Sequence, residues 1–377
     1  MRTRVVVLGA GFGGMELSTI LSEEVGEMVE VTLIDKGDAF VFGFSKLDVM
    51  FGRTTLDQVR LPYSSFTHPG VRLLRETITA IDPVARVVST DVATHEADIL
   101  VVALGADYDL AATPGLAESG SEFYSADGAA RLGEALAAAD PGNYVIGVCD
   151  APFKCPPAPS ECALLLHDHL VARGIRERST ITFTIPLPSP VPPSPQASQA
   201  LLSEFAERGI RFLPGARVAS LDAERRVVSL DDGQDLPCDL FLGVPRHGAP
   251  QVVLDSVLAE DRYIPVDSRT LATRFPDVFA VGDVATVGVP KAGVFSEGAA
   301  RVVARSIIAR LRGGEAPAPY DGIGICYVEF GEDRVGRVNV DFLSGPSPTG
   351  SLDGPSAEFV AEKEEFGSSR RARWFGL

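Results

Sequence analysis

The stretch Val5-Val6-Val7-Leu8-Gly9-Ala10-Gly11-Phe12-Gly13-Gly14 decides the fold. Its opening apolar run, three of four residues β-branched, fits a strand buried on both faces. The spacing G-x-G-x-x-G then turns the strand into a helix. Gly9 permits the tight turn, Gly11 lets backbone amides approach a pyrophosphate, and Gly14 allows close packing of helix on strand. The positive end of that helix points at the same phosphates. The next strand, Glu30-Val31-Thr32-Leu33-Ile34-Asp35, ends in an acid at the distance suited to a ribose hydroxyl, with Lys36 beside it. Gly9, Gly11, Gly14, Asp35 and Lys36 are therefore expected to hold a dinucleotide.

Strand and helix keep alternating along the chain, which predicts doubly wound α/β layers. Ile99-Leu100-Val101-Val102-Ala103-Leu104-Gly105 reads as a buried strand entering a glycine turn, with Ala103 and Gly105 near the cofactor. A second unit begins at Asn143-Tyr144-Val145-Ile146-Gly147-Val148-Cys149 and includes Thr180–Ile185. Where it should repeat the glycine loop it carries Phe153-Lys154-Cys155-Pro156-Pro157-Ala158-Pro159-Ser160-Glu161 instead. Its second strand runs into the proline-rich stretch 186–195 without an acid, so nicotinamide binding is not expected there. The chain then returns to the first unit through Phe279-Ala280-Val281-Gly282-Asp283 and Pro290-Lys291-Ala292-Gly293. Asp283 suits a ribityl hydroxyl. A helix opening near Ala292 suits the pyrimidine edge of a flavin, where reduction gathers negative charge. With the first fingerprint, this favours FAD.

The predicted architecture is thus α/β, with two Rossmann-like dinucleotide-binding domains. Residues 1–112 and 245–315 form a discontinuous FAD domain, 113–244 an NAD-like domain without its fingerprint, and 316–377 a small C-terminal region. A net charge of −17 over 377 residues argues against nucleic acid and against a polybasic membrane patch. No apolar run approaches the roughly 18 residues of a membrane span, and the first strand starts too early to follow a secretory signal. A cytosolic address is expected, with peripheral contact on the inner membrane face and a homodimer both left open.

Five cysteines, an odd number without C-x-x-C, fit neither a disulfide scaffold nor a metal site. Cys149, Cys162 and Cys238 read as small buried hydrophobes, Cys238 within a strand-like run. Cys155 precedes Pro156-Pro157 at the expected first turn of a helix. The helix dipole and Lys154 would both favour its thiolate. His167, His169 and His247 read as solvated or core-capping residues, although His247 lies where it could reach the cofactor.

Gly9-x-Gly11-x-x-Gly14, Asp35, Ala103-Leu104-Gly105, Gly282-Asp283 and Pro290-Lys291-Ala292-Gly293 together resemble the two-dinucleotide-domain flavoprotein disulfide reductases. Within that superfamily, Lys154 to Glu161 and Gly324-Ile325-Cys326-Tyr327 resemble the sulfide:quinone oxidoreductases and the flavoprotein subunit of flavocytochrome c sulfide dehydrogenase. The resemblance implies a Cys155–Cys326 redox pair over the flavin. Hydrosulfide would open their disulfide, leave a persulfide on one cysteine, and free the other, Cys326, to pass two electrons into FAD. Quinone or a similar acceptor would take them onward. Glu161 matches an acid that shuttles protons, or else it is an exposed first-turn residue serving the helix dipole. The alternatives are a type II NADH:quinone reductase and a non-catalytic flavin redox sensor. The tail Arg370-Arg371-Ala372-Arg373-Trp374-Phe375-Gly376-Leu377 either docks on a bilayer or quinone pocket, or packs back on its own domain.

Overall fold

A computed structural model of the chain describes residues 2–119 and 121–377. The opening run is strand β1 (Thr3–Leu8), buried from Val5 to Leu8. It occupies the centre of a parallel sheet with β2 (Val29–Asp35), β3 (Val71–Arg75), β4 (Ile99–Val102) and β9 (Val278–Ala280), ordered β9-β4-β1-β2-β3. Val5 pairs with Val31 on one side and Ile99 on the other. β9 reaches this sheet from nearly 180 residues downstream and pairs with β4, so the chain does return to its first sheet.

A second parallel sheet holds β5 (Asn143–Val148) between β6 (Thr180–Ile185) and β8 (Leu240–Val244), with β7 (Ile210–Pro214) outside. Cys238 lies just before β8 rather than in it, and is buried. In both units a small antiparallel three-stranded sheet, residues 78–96 and 218–237, precedes the strand that pairs with the first one. The proline-rich stretch forms no strand, and Pro195 opens the helix Pro195–Glu207, capped by Ser194.

Four further helices position the site: α1 (Phe12–Val25), α2 (Ser45–Met50), α3 (Ala158–Ala172) and α4 (Gly293–Arg312). The C-terminal region is an antiparallel sheet of β10 (Ile323–Gly331), β11 (Arg334–Asp341) and β12 (Thr349–Ser356), followed by α5 (Glu358–Phe375). Val328, Phe330 and Leu352 of this sheet join the core of the second unit, whereas Trp374 and Phe375 of α5 join that of the first.

Of the two alternatives for the tail, the structure shows it packed back on its own domain. Trp374 is 1% exposed, its ring packs edge-on against Phe12, and its Nε1 donates to Glu16 at 3.0 Å. Arg373 also pairs with Glu16, at 2.9 Å, and Arg370 pairs with Glu297 at 2.7 Å. Glu16 and Glu297 are buried carboxylates in a chain rich in acid, and the tail arginines together with Arg301 of the same domain supply their counter-charges. Among the described residues no helix is long and apolar enough to cross a membrane.

Candidate active site

The carboxyl ends of β1, β4 and β9 and the amino ends of α1 and α4 surround a cavity of about 310 Å³. Ligands of open α/β sheets bind at this end of the strands. Gly11, Ala103, Gly105, Gly282, Asp283, Lys291 and Gly293 line the cavity, and so do Cys155, Glu161 and Cys326. Residues expected at five separated places in the sequence therefore meet at one site.

Gly9, Gly14, Asp35 and Lys36 stand outside it. Gly9 takes φ +99°, and a Cβ on Gly14 would run into the Gly9 carbonyl oxygen, so both glycines set the turn itself. Asp35 accepts from the amides of Ala10 (2.8 Å) and Gly37 (2.7 Å), tying the end of β2 to the glycine loop. Lys36 is exposed.

The thiol loop differs from expectation. α3 starts at Ala158, so Cys155 lies ahead of the helix, with φ +46° in the left-handed region. A non-glycine residue stays there only when its surroundings fix it. Here the Cys155 amide donates to the Lys291 carbonyl at 2.7 Å and its carbonyl accepts from Ala158 at 2.9 Å. The cysteine is exposed, and what it is exposed to is the cavity. Surrounding protein pushes its pKa well up, the Glu161 carboxylate and the Cys326 sulfur add to this, and Lys363 opposes it. Lys154 gives no help, because its ammonium is turned to the Ala106 carbonyl, 2.7 Å away. The expected thiolate bias is thereby reversed. Cys326, on β10, is pushed up to about 12 by burial and then by Glu161. Both sulfurs are free thiols.

Glu161 is not an exposed first-turn residue. It is 4% exposed, accepts from the Glu329 amide at 2.9 Å, and burial raises its pKa to about 7. A buried carboxyl that titrates near neutrality beside two thiols is placed to exchange protons with them. Lys363 of α5, ion-paired to Glu329, also lines the cavity.

Among the further lining residues that the sequence did not single out are Lys46, Tyr108 and Tyr124. The Tyr124 hydroxyl donates to the Cys155 carbonyl at 3.4 Å and Lys46 donates to the Tyr124 carbonyl at 2.6 Å. His247 lies behind both tyrosine rings, wholly buried, its pKa lowered to about 3 by burial and then by Lys154. It stays neutral and is absent from the cavity wall.

A glycine-turned helix and a second helix aimed at the same space define an oxidoreductase built on a dinucleotide cofactor, with two thiols beside the cofactor cavity. The chain belongs to the pyridine nucleotide-disulphide oxidoreductase family, whose pattern matches residues 3–302. It is 27% identical over 360 residues to the sulfide-quinone reductase of Aquifex aeolicus (strain VF5), covering 88% of this chain and 82% of that protein. It is 23% identical over 364 residues to the mitochondrial sulfide:quinone oxidoreductase of Mus musculus, covering 93% and 80%. The X-ray structure of the Aquifex aeolicus sulfide:quinone oxidoreductase superposes with a TM-score of 0.86 at 24% identity, over 98% of this chain and 91% of that one.

FAD is the cofactor of this family, and the residues present fit it. The glycine turn leaves room for a pyrophosphate, and Asp283, which lines the cavity, has a buried Oδ1 with no hydrogen-bond partner among the described residues. Such an orphaned acceptor calls for a donor that a ribityl hydroxyl would supply. The chain is an FAD-dependent oxidoreductase.

Proposed function

We propose that the chain oxidises sulfide with Cys155 and Cys326 as its redox pair and sends the electrons through FAD to a quinone. The observation that carries this is the convergence of both thiols and a near-neutral carboxyl on the cavity that fits the cofactor. Likeness to sulfide:quinone oxidoreductases along nearly the whole chain supports substrate and acceptor.

In the oxidised enzyme the two sulfurs form a disulfide. Hydrosulfide attacks Cys155, the sulfur more open to the cavity. The Cys155–Cys326 bond breaks, a sulfur–sulfur bond to the incoming atom forms, and Cys326 leaves as a thiolate. The proton of the attacking hydrosulfide goes to Glu161, whose protonation removes the charge that opposes both thiolates. A second hydrosulfide takes the sulfane sulfur from Cys155 as HSS⁻ and leaves a Cys155 thiolate, and the disulfide re-forms as the two thiolates give two electrons to FAD, so two hydrosulfides yield one HSS⁻, one proton and two electrons. FAD supplies the two-electron relay between the cysteines and the acceptor. Tyr124 and Lys291 hold the Cys155 backbone in place throughout.

Mass spectrometry after anaerobic addition of one equivalent of sulfide tests this. A persulfide on the Cys155 peptide is expected, and it should be lost in Cys155→Ser. Sulfide-driven flavin bleaching with no sulfur adduct on either cysteine would reject the proposed pair.

A further inference from the structure

The chain carries 34 basic residues but only five lysines, at 36, 46, 154, 291 and 363. Four of the five line the one cavity. Apart from exposed Lys36, the surface positive charge of this protein is arginine, and the other lysines are gathered at the site. Lys363 is ion-paired to Glu329. Among the described residues, Lys46, Lys154 and Lys291 make no ion pair at all, in a chain with 51 acidic residues. Each ammonium is held by backbone carbonyls instead: Lys46 by Tyr124 (2.6 Å), Lys154 by Ala106 (2.7 Å) and Lys291 by Asp283 (2.6 Å). The carboxylate these three lysines share is that of Asp283, whose Oδ1 has no hydrogen-bond partner among the described residues. Burial lowers the Lys291 pKa to about 8 against the pull of Asp283, with Arg262 and Lys154 adding to the fall.

Unpaired buried cations are costly unless something anionic completes them. All three act on the Asp283 carboxylate, which lines the same cavity. We infer that Lys46, Lys154 and Lys291 form a cationic wall that favours the reduced, more negative form of the bound flavin and so raises its reduction potential. Point-charge ammonium groups suit this better than the broad planar guanidinium, which favours a carboxylate or phosphate fork. The three act on the electron balance of the cofactor rather than on its chemistry, as positioning charges.

The inference rests on bound FAD and not on sulfide being the substrate, so it is tested without any sulfur donor. The FAD midpoint potential is measured by anaerobic dye equilibration in Lys46→Met, Lys154→Met, Lys291→Met and Asp283→Asn. Each lysine variant should lower the reduced-to-oxidised ratio at fixed potential at least tenfold, a shift of about −30 mV for a two-electron couple. Asp283→Asn, which removes the opposing charge, should shift the potential upward. If a variant sheds FAD, the ratio of its affinities for oxidised and reduced FAD carries the same information by linkage. Unchanged potentials or affinity ratios in the three lysine variants, or a downward shift in Asp283→Asn, would overturn the wall. A failed persulfide assay with shifted potentials would reject the sulfur chemistry alone.

Discussion

The two parallel-sheet units start the same way and diverge at one turn. In the first, three residues, 9–11, connect β1 to α1. In the second, nine residues, 149–157, connect β5 to α3. The short glycine turn keeps α1 against its strand and presents its amides to a phosphate. The long loop gives up that ability and travels instead, placing Lys154 alongside Lys291 and bonding Cys155 to the Lys291 carbonyl. The second unit thus furnishes chemistry to the first unit's cavity. A repeated scaffold keeps its strands because burial demands them, and changes function where the turn faces the ligand.

The largest expected effect comes from breaking the conserved half of this comparison. Gly14→Val should abolish FAD retention, because the Gly9 carbonyl oxygen occupies the space of any Cβ. Flavin absorbance of the purified variant measures this, and a normally yellow protein would contradict the packing argument.

Breaking the divergent half should spare FAD and remove turnover. Cys155→Ser and Cys326→Ser should each lower sulfide-driven reduction by about 10³-fold or more, since the pair acts as one unit. Wild-type rates in either variant would break the proposed pairing.

Glu161→Gln should cost about 10²-fold in rate and flatten the pH profile. A proton acceptor must be ionised, so the wild-type rate should rise with pH through about 7. The sign for stability is opposite. The folded carboxyl holds its proton up to about 7, above its ordinary value of 4.5. Its contribution is therefore fully present below 4.5 and is lost as pH rises toward 7. Thermal melts of Glu161→Gln should show less decline across that window, and an identical decline would place the titration elsewhere.

A smaller effect separates α5 from the redox loop. Glu16→Gln leaves Arg301, Arg373 and the Trp374 indole facing a neutral amide, and should cost about 3 kcal/mol of stability. Burial works against the Glu16 charge, but its Trp374 and arginine donors hold the carboxyl below the ordinary range. That stability is present above about 4.5 and is lost as pH falls further. Chemical denaturation checks the magnitude, and a midpoint within error of wild type would show that the tail is not clamped by this carboxylate.

How far the sequence could be read follows the same division. Periodicity and glycine spacing exposed both sheets, because buried parallel strands are near-continuous apolar runs and the tight turn needs glycine at fixed intervals. Cys155, Glu161 and Cys326 were visible through motif resemblance. The state of their protons was not, since it depends on burial, which turned Glu161 from an exposed helix residue into a carboxyl titrating near 7 and reversed the bias at Cys155. Lys46 and Lys363 sit on helices with no motif around them. Their one signal was the scarcity of lysine itself. The tail's aromatic and basic residues were open to a bilayer or quinone pocket and to packing back on their own domain, and its partner Glu16 became visible only in three dimensions.

The central claim is that electrons enter through sulfur and not through a nucleotide in the second unit. Anaerobic titration of the FAD-loaded protein, followed at the flavin absorbance band, addresses it directly. Stoichiometric bleaching by sulfide with no response to NADH is the expected result. Bleaching by NADH with indifference to sulfide would contradict the account.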